Sequence, residues 1–168
     1  MSDLGFTCSC CGQRHDGLPL GFSTEAPVYW MPEMADDPDC GLSSDQCVIQ
    51  RQAFFVRGLI EIPVTDLGEV FSWGVWVSLS PEKFARATEL WEIPGRESEP
   101  PYFGWLSTDL PIYSSTINLK TNLHTRPVGQ RPLIELEPTD HPLAVEQRNG
   151  ITTARLQQIT ETLLHPDQ

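Results

Sequence analysis

Two stretches decide the fold: Ala53-Phe-Phe-Val-Arg-Gly-Leu-Ile-Glu-Ile-Pro63 and Val70-Phe-Ser-Trp-Gly-Val-Trp-Val-Ser-Leu79. Both are rich in β-branched and aromatic residues, and Asp66-Leu-Gly68 between them is a turn signal. In the second, Phe71, Trp73, Val75, Val77 and Leu79 recur every two residues. Side chains alternate faces along a strand, so these five share one apolar face. The reading is a pair of antiparallel strands packed on a core. Gly74 inside the second marks a bulge or a place where another backbone comes close. Val48-Ile49 reads as a strand start just ahead of the pair.

Downstream, Ser80-Pro81-Glu82 is a helix start: a capping hydroxyl, proline at the first position and an acid in the first turn. Phe84, Ala87, Thr88 and Trp91 fall at helical spacing, and Ile93-Pro94-Gly95 is a stop. Residues 95–101 read as a polar loop. Further strands are expected over 102–106, 116–124 and 133–137. A helix is expected over 141–148, ended by Asn149-Gly150. A last one is capped by Thr152, with Leu156, Ile159 and Leu163 on its inner face. The order strand-strand-helix-strand-strand-strand-helix-helix predicts an α+β fold with a mostly antiparallel sheet and a C-terminal helix pair. The pair is read as an αα-hairpin. Helix-turn-helix is only an outline here, because residues 141–168 are net acidic and lack the charge that DNA requires.

The first 50 residues differ. They are loop-rich, hold all five cysteines, and include the acidic Pro32-Glu-Met-Ala-Asp-Asp-Pro-Asp39. Such a lobe buries too little apolar surface to stand alone, so a metal is expected to support it. Cys8-Ser-Cys10-Cys11-Gly12 places Cys8 and Cys11 in Cys-x-x-Cys spacing on a turn that Gly12 can close. That is half of a tetrahedral zinc site. Cys47 is the expected third ligand and His15 or Cys40 the fourth. Cys10 adjoins Cys11, which makes it an awkward ligand for the same ion. Thiolates favour zinc over magnesium or calcium. The expectation is one domain over 1–168, with a loop-rich metal-knuckle lobe at 1–50 and a sheet-and-helix core at 51–168.

Net charge is −12 over 168 residues, and 39% of them are hydrophobic. Phosphate backbones and anionic lipids are repelled by such a surface, so neither nucleic acid nor membrane is the expected partner, and a basic protein is favoured. No window approaches the roughly 18 apolar residues of a membrane span, and the N-terminus lacks signal-peptide character. A cytoplasmic location is expected, where cysteines bind metal or stay buried rather than form disulfides.

Two catalytic readings compete with a binding role. In one, zinc on Cys8, Cys11 and Cys47 keeps an open position for water, with Asp45 or His141 as general base. Three thiolates make such an ion a poor Lewis acid, which ranks the reading second. In the other, His141 works with Glu137 or Glu146. The plainer alternative is that Thr139 or Asp140 caps a helix there. Four of the five tryptophans lie between 73 and 105 and read as core more readily than as a groove lining. No Gly-rich phosphate loop, Gly-x-Ser-x-Gly or His-Glu-x-x-His motif occurs.

Several segments together resemble a bacterial family, the domain of unknown function 2199. They are Cys8-x-x-Cys11-Gly12-x-x-His15, Ser44-Asp45-x-Cys47, Phe54-Phe-Val-Arg57-Gly, Trp73-Gly-Val-Trp-Val-Ser-Leu-Ser80, Phe103-Gly-Trp-Leu106, and Arg131-Pro with Glu137-Pro-Thr-Asp-His-Pro-Leu-Ala-Val-Glu-Gln147. The resemblance implies a bacterial single-domain protein and no particular activity. It favours Cys8, Cys11, His15 and Cys47 as a set, because those positions lie in the matching motifs. The protein read this way is a binding module with a structural zinc ion.

Overall fold

The computed structural model describes residues 6–7, 14–15 and 18–164. Strands β1 (Phe6–Thr7) and β2 (Arg14–His15) pair antiparallel, with Phe6 opposite His15. All other described strands join one sheet. They are β3 (Gly21–Ser23), β4 (Gly41–Leu42), β5 (Gln46–Ile49), β6 (Ala53–Val64), β7 (Glu69–Leu79), β8 (Tyr102–Leu106), β9 (Lys120–His124) and β10 (Leu133–Leu136). The helices are α1 (Pro81–Glu89), α2 (Pro142–Asn149) and α3 (Thr153–Leu164). The order expected for the sheet-and-helix core is the order observed, and the class is α+β.

Five consecutive strands, β6 to β10, close into a barrel. Each is antiparallel to the next, and β10 returns to β6. An up-and-down run with an odd number of strands leaves its first and last members pointing the same way. The closing pair is accordingly parallel, and it is short, with Leu133 opposite Leu59 and Leu59 N–H donating to Pro132 O at 2.9 Å. The inward set is the one the alternation predicts: Phe71, Trp73, Val75, Val77 and Leu79 face Val56, Ile60, Ile62, Tyr102, Leu106, Leu123 and Ile134.

Closure demands close approach. A Cβ on Gly58 would lie 2.7 Å from the Ile134 side chain and 2.9 Å from Pro132 O. Gly74 answers the same need on the other side, where β3 runs parallel to β7 with Ser23 opposite Gly74 and the Ser23 Cβ occupies the space a side chain would take. Beyond Leu133, β10 leaves β6, and the Gln147 side chain of α2 takes over the pairing. Its amide donates to Ile134 O and accepts from Leu136 N–H, both at 2.8 Å.

Several local signals behave as read, but α1 ends at Glu89, short of Trp91 and of the Ile93-Pro94-Gly95 stop. Ser80 Oγ accepts from Lys83 N–H at 3.2 Å and caps α1. The strand expected from 116 begins only at Lys120, because Asn118 takes a left-handed φ of 66° and the buried Thr116 hydroxyl donates to Thr108 O at 2.7 Å inside a loop. The cap of α2 is His141 rather than Thr139 or Asp140: its Nδ1 accepts from Leu143 N–H at 3.1 Å. Between α2 and α3, Ile151 makes a parallel bridge to Val64, so the chain touches the sheet there. An ion pair from Arg155 Nε to Glu146 at 2.9 Å links the two helices. The first 50 residues contribute β3, β4 and β5 to the same sheet, extending it at both ends of the order. No described helix is long and apolar enough to cross a membrane.

Gly58→Ala should cost about 1–3 kcal/mol in urea unfolding, since the carbonyl of Pro132 has no rotamer with which to move aside. Asp66 Oδ1 accepts from both the N–H and the hydroxyl of Thr153, each at 2.8 Å, and these bonds, the hydroxyl first, hold its pKa below the ordinary carboxylate value. The stabilisation is therefore fully present above the unfolded-state pKa of about 3.9 and disappears as pH falls through the lower folded value. Asp66→Asn should be less stable than the native chain at neutral pH, and the gap should narrow on acidification below about pH 4.

Candidate functional site

Cys8 and Cys11 lie outside the described residues, as does Cys10. His15 is placed by its backbone, in β2. Cys47 is central to β5, opposite Phe55 and Leu42, and only 1% exposed. It packs with Phe55 and Trp76 on the outer face of the barrel wall, with Trp30, Ile49 and Ala53 against them. Burial, with a smaller contribution from Cys40, pushes its thiol up to about 11. Cys40 precedes Leu42 by two residues and so falls on the Cys47 side of the β4–β5 ribbon. Its Sγ accepts from Gln50 N–H at 3.3 Å. Among the described residues, no three His, Cys, Asp or Glu side chains come together as a metal site.

Three of the residues named for acid–base work, His141, Glu146 and Asp45, are engaged elsewhere. With Nδ1 of His141 accepting the cap bond, its proton sits on Nε2, which lies 3.1 Å from both Ser114 O and Ser115 O. Glu146 pairs with Arg155. Asp45 accepts from Arg131 Nε at 2.9 Å through one carboxylate oxygen and from Ser44 Oγ at 3.0 Å through the other.

That last contact opens onto the most distinctive surface. A groove of about 600 Å³ lies at the barrel mouth, where the segment after α1 and the β9–β10 loop meet β6 and the approach to β5. Its volume is in the range of ligand sites. Asp45, Trp91, Glu92, Arg96, Arg126 and Arg131 line it. A second cavity of about 30 Å³ adjoins it, sharing Trp91, Arg96 and Arg126. Its other walls are mostly apolar, with Val56, Ala87, Leu90, Leu123 and Pro132 beside Tyr102 and Thr125.

Each guanidinium is fixed by a different means. Arg96, nine-tenths buried, donates to four carbonyls: Arg126 O at 2.7 Å, Trp91 O at 3.0 Å, Pro127 O at 3.1 Å and Gln130 O at 3.0 Å. It thus ties two loops together, and its guanidinium carbon lies 5.6 Å from the Trp91 ring centre. Arg126 grips Glu61 of β6 with both terminal nitrogens, at 2.7 and 3.3 Å. Arg131 gives only its Nε, to Asp45; its Nη1 and Nη2 have no partner among the described residues. Nearby, Arg57 donates to Ser44 O at 3.1 Å and Ser23 Oγ at 2.9 Å and lies over Trp76, with its Nε buried and unpartnered. Burial first, and the charge of Arg131 second, lower its pKa from the ordinary arginine value.

Sequence reasoning missed this site. Its arginines are spread from 57 to 131, and no spacing connects them. The core reading of the tryptophans holds for Trp73 and Trp76, at 2% and 0% exposure, and fails for Trp91, which lines the groove, and Trp105, which is 42% exposed. Nothing among curated proteins or solved structures matches the chain. The family described as "Uncharacterized protein conserved in bacteria (DUF2199)" matches residues 7–151, and the chain belongs to it.

Proposed function

We propose that the protein is a cytoplasmic binding module that docks on another protein through the barrel-mouth groove, with a structural zinc ion supporting its amino-terminal lobe. The arginine arrangement carries the docking reading. Three guanidiniums, Arg96, Arg126 and Arg131, and two carboxylates, Asp45 and Glu92, line this one depression. That leaves a local surplus of one positive charge in a chain whose net charge is −12. Holding guanidiniums in fixed orientation is what recognition of a planar anion requires. Binding is preferred over hydrolysis because His141 and Asp45, the bases a hydrolase would use, are both committed to structural partners. The acidic remainder of the surface suits a partner that is basic overall.

The zinc ion would take Cys8, Cys11 and Cys47, closed by His15 or Cys40. The antiparallel pairing of β1 with β2 on either side of the Cys8–Cys11 segment supports a knuckle there. The placement of Cys40 beside Cys47 favours Cys40 as the fourth ligand. Zinc would convert the Cys47 thiol to a thiolate in spite of its burial.

About one zinc per chain is expected by mass spectrometry of untagged protein, lost together with thermal stability in Cys8→Ser/Cys11→Ser. Metal-free native protein would overturn the zinc reading. For docking, cross-linking and affinity capture from a bacterial lysate are to be run with the native chain beside Arg131→Glu. Loss of a specific captured protein in the variant is expected, and identical capture by both would overturn the groove as the docking surface.

A further inference from the structure

The groove has one open binding edge, and its surroundings say what fits it. All three nitrogens of Arg96 donate to carbonyls, both terminal nitrogens of Arg126 lie on Glu61, and two of the three donor nitrogens of Arg57 face Ser44 and Ser23. Of the arginines lining the groove, Arg131 presents two adjacent nitrogens without a partner among the described residues, and its side chain is 38% exposed, so a ligand can reach them. Asp45 holds the Nε side, which leaves the Nη edge fixed in orientation. A fork of two parallel N–H groups matches the two oxygens of a carboxylate. The surplus of one positive charge matches a monoanion better than a phosphate dianion, and the acidic chain repels polyanions.

Immediately after Arg131, Pro132 forms part of the wall of the 30 Å³ apolar cavity. The groove that holds the fork and this small, mostly apolar cavity share Trp91, Arg96 and Arg126 as walls. A space of that size takes about one small group. The groove itself, at about 600 Å³, is far larger than a carboxylate, so a chain can continue from the bound group past Gly129 and Gln130.

We infer that the groove receives the free carboxyl terminus of a peptide chain ending in a small aliphatic residue, with the carboxylate on Arg131 Nη1 and Nη2 and the terminal side chain in the apolar cavity beside Pro132. This rests on the groove being the docking surface. It also reconciles an acidic protein with an anionic anchor: the body of the partner is basic, and one terminal carboxylate enters the locally positive niche.

The test is a titration of ¹⁵N-labelled full-length protein, followed by the Trp91 indole and the Gly129 and Gln130 amides. The probes are acetyl-Gly-Gly-Val with a free carboxyl, its carboxyl-terminal amide, isobutyrate and inorganic phosphate. Saturable shifts with the free acid are expected, at least tenfold weaker with the amide. Arg131→Lys, which keeps the charge and removes the fork, should weaken the free acid at least tenfold while the rest of the spectrum stays native. Equal binding of acid and amide, or an unaffected Arg131→Lys variant, would overturn the inference. Isobutyrate binding as tightly as the peptide would overturn a peptide ligand, and preference for phosphate would overturn a carboxylate. Any of these leaves the docking surface standing, which fails separately if capture survives Arg131→Glu.

Discussion

Closure of the barrel at β10 and β6 is the constraint on which the rest depends. An odd number of antiparallel neighbours forces a parallel seam, and parallel strands cannot be joined by a tight turn. Here the seam is reached through three intervening strands, so the loop from 125 to 131 is delivered against β6 from across the barrel. The seam is short because the strands diverge. Gly58 permits the contact and Gln147 satisfies the backbone groups that divergence would leave bare. A buried, unpaired peptide group costs about 1–3 kcal/mol, which is why a glutamine side chain there matters to the fold.

The groove is a by-product of that seam. Where β10 approaches β6, the loop entering β10 and the segment leaving α1 stand over the barrel mouth without a strand to organise them. Arg96 does so instead, through four carbonyls. Burying a guanidinium is costly unless its donors are used, and carbonyl oxygens from two loops take four of the five N–H groups of Arg96 without a counter-charge. The positive charge is then left uncompensated at the site. An acidic protein obtains a locally positive niche by this means, with Arg126 and Arg131 paired one-to-one to Glu61 and Asp45.

The amino-terminal segment is joined to this frame rather than set apart from it. Strand β3 lies along β7, and β5 lies along β6, so both edges of its chain are held by backbone bonds. Arg57 crosses between them, from Ser23 at the end of β3 to Ser44 before β5. On the outer barrel wall, Cys47, Phe55 and Trp76 pack under Trp30. A metal at Cys47 would thus be coupled to the barrel directly, through a strand pair shared with β6.

Much of the fold was legible because its signals are local. The two-residue alternation from Phe71 to Leu79 identifies the inner barrel face, Ser80-Pro81 starts α1, and Gly74 marks a close approach. Other local signals misled where a tertiary contact competed with them. Thr116 turned inward to bond a loop and shortened β9, and His141 displaced Thr139 and Asp140 as a cap because its ring also reaches Ser114 and Ser115. The chain alone determined the class, the order of elements and the core face, since these follow from periodicity within a few residues. Only the tertiary structure decided the closure, the use of Trp91 and the gathering of arginines from 57 to 131. Those depend on which strand ends meet, and no spacing along the chain encodes a distance across a barrel.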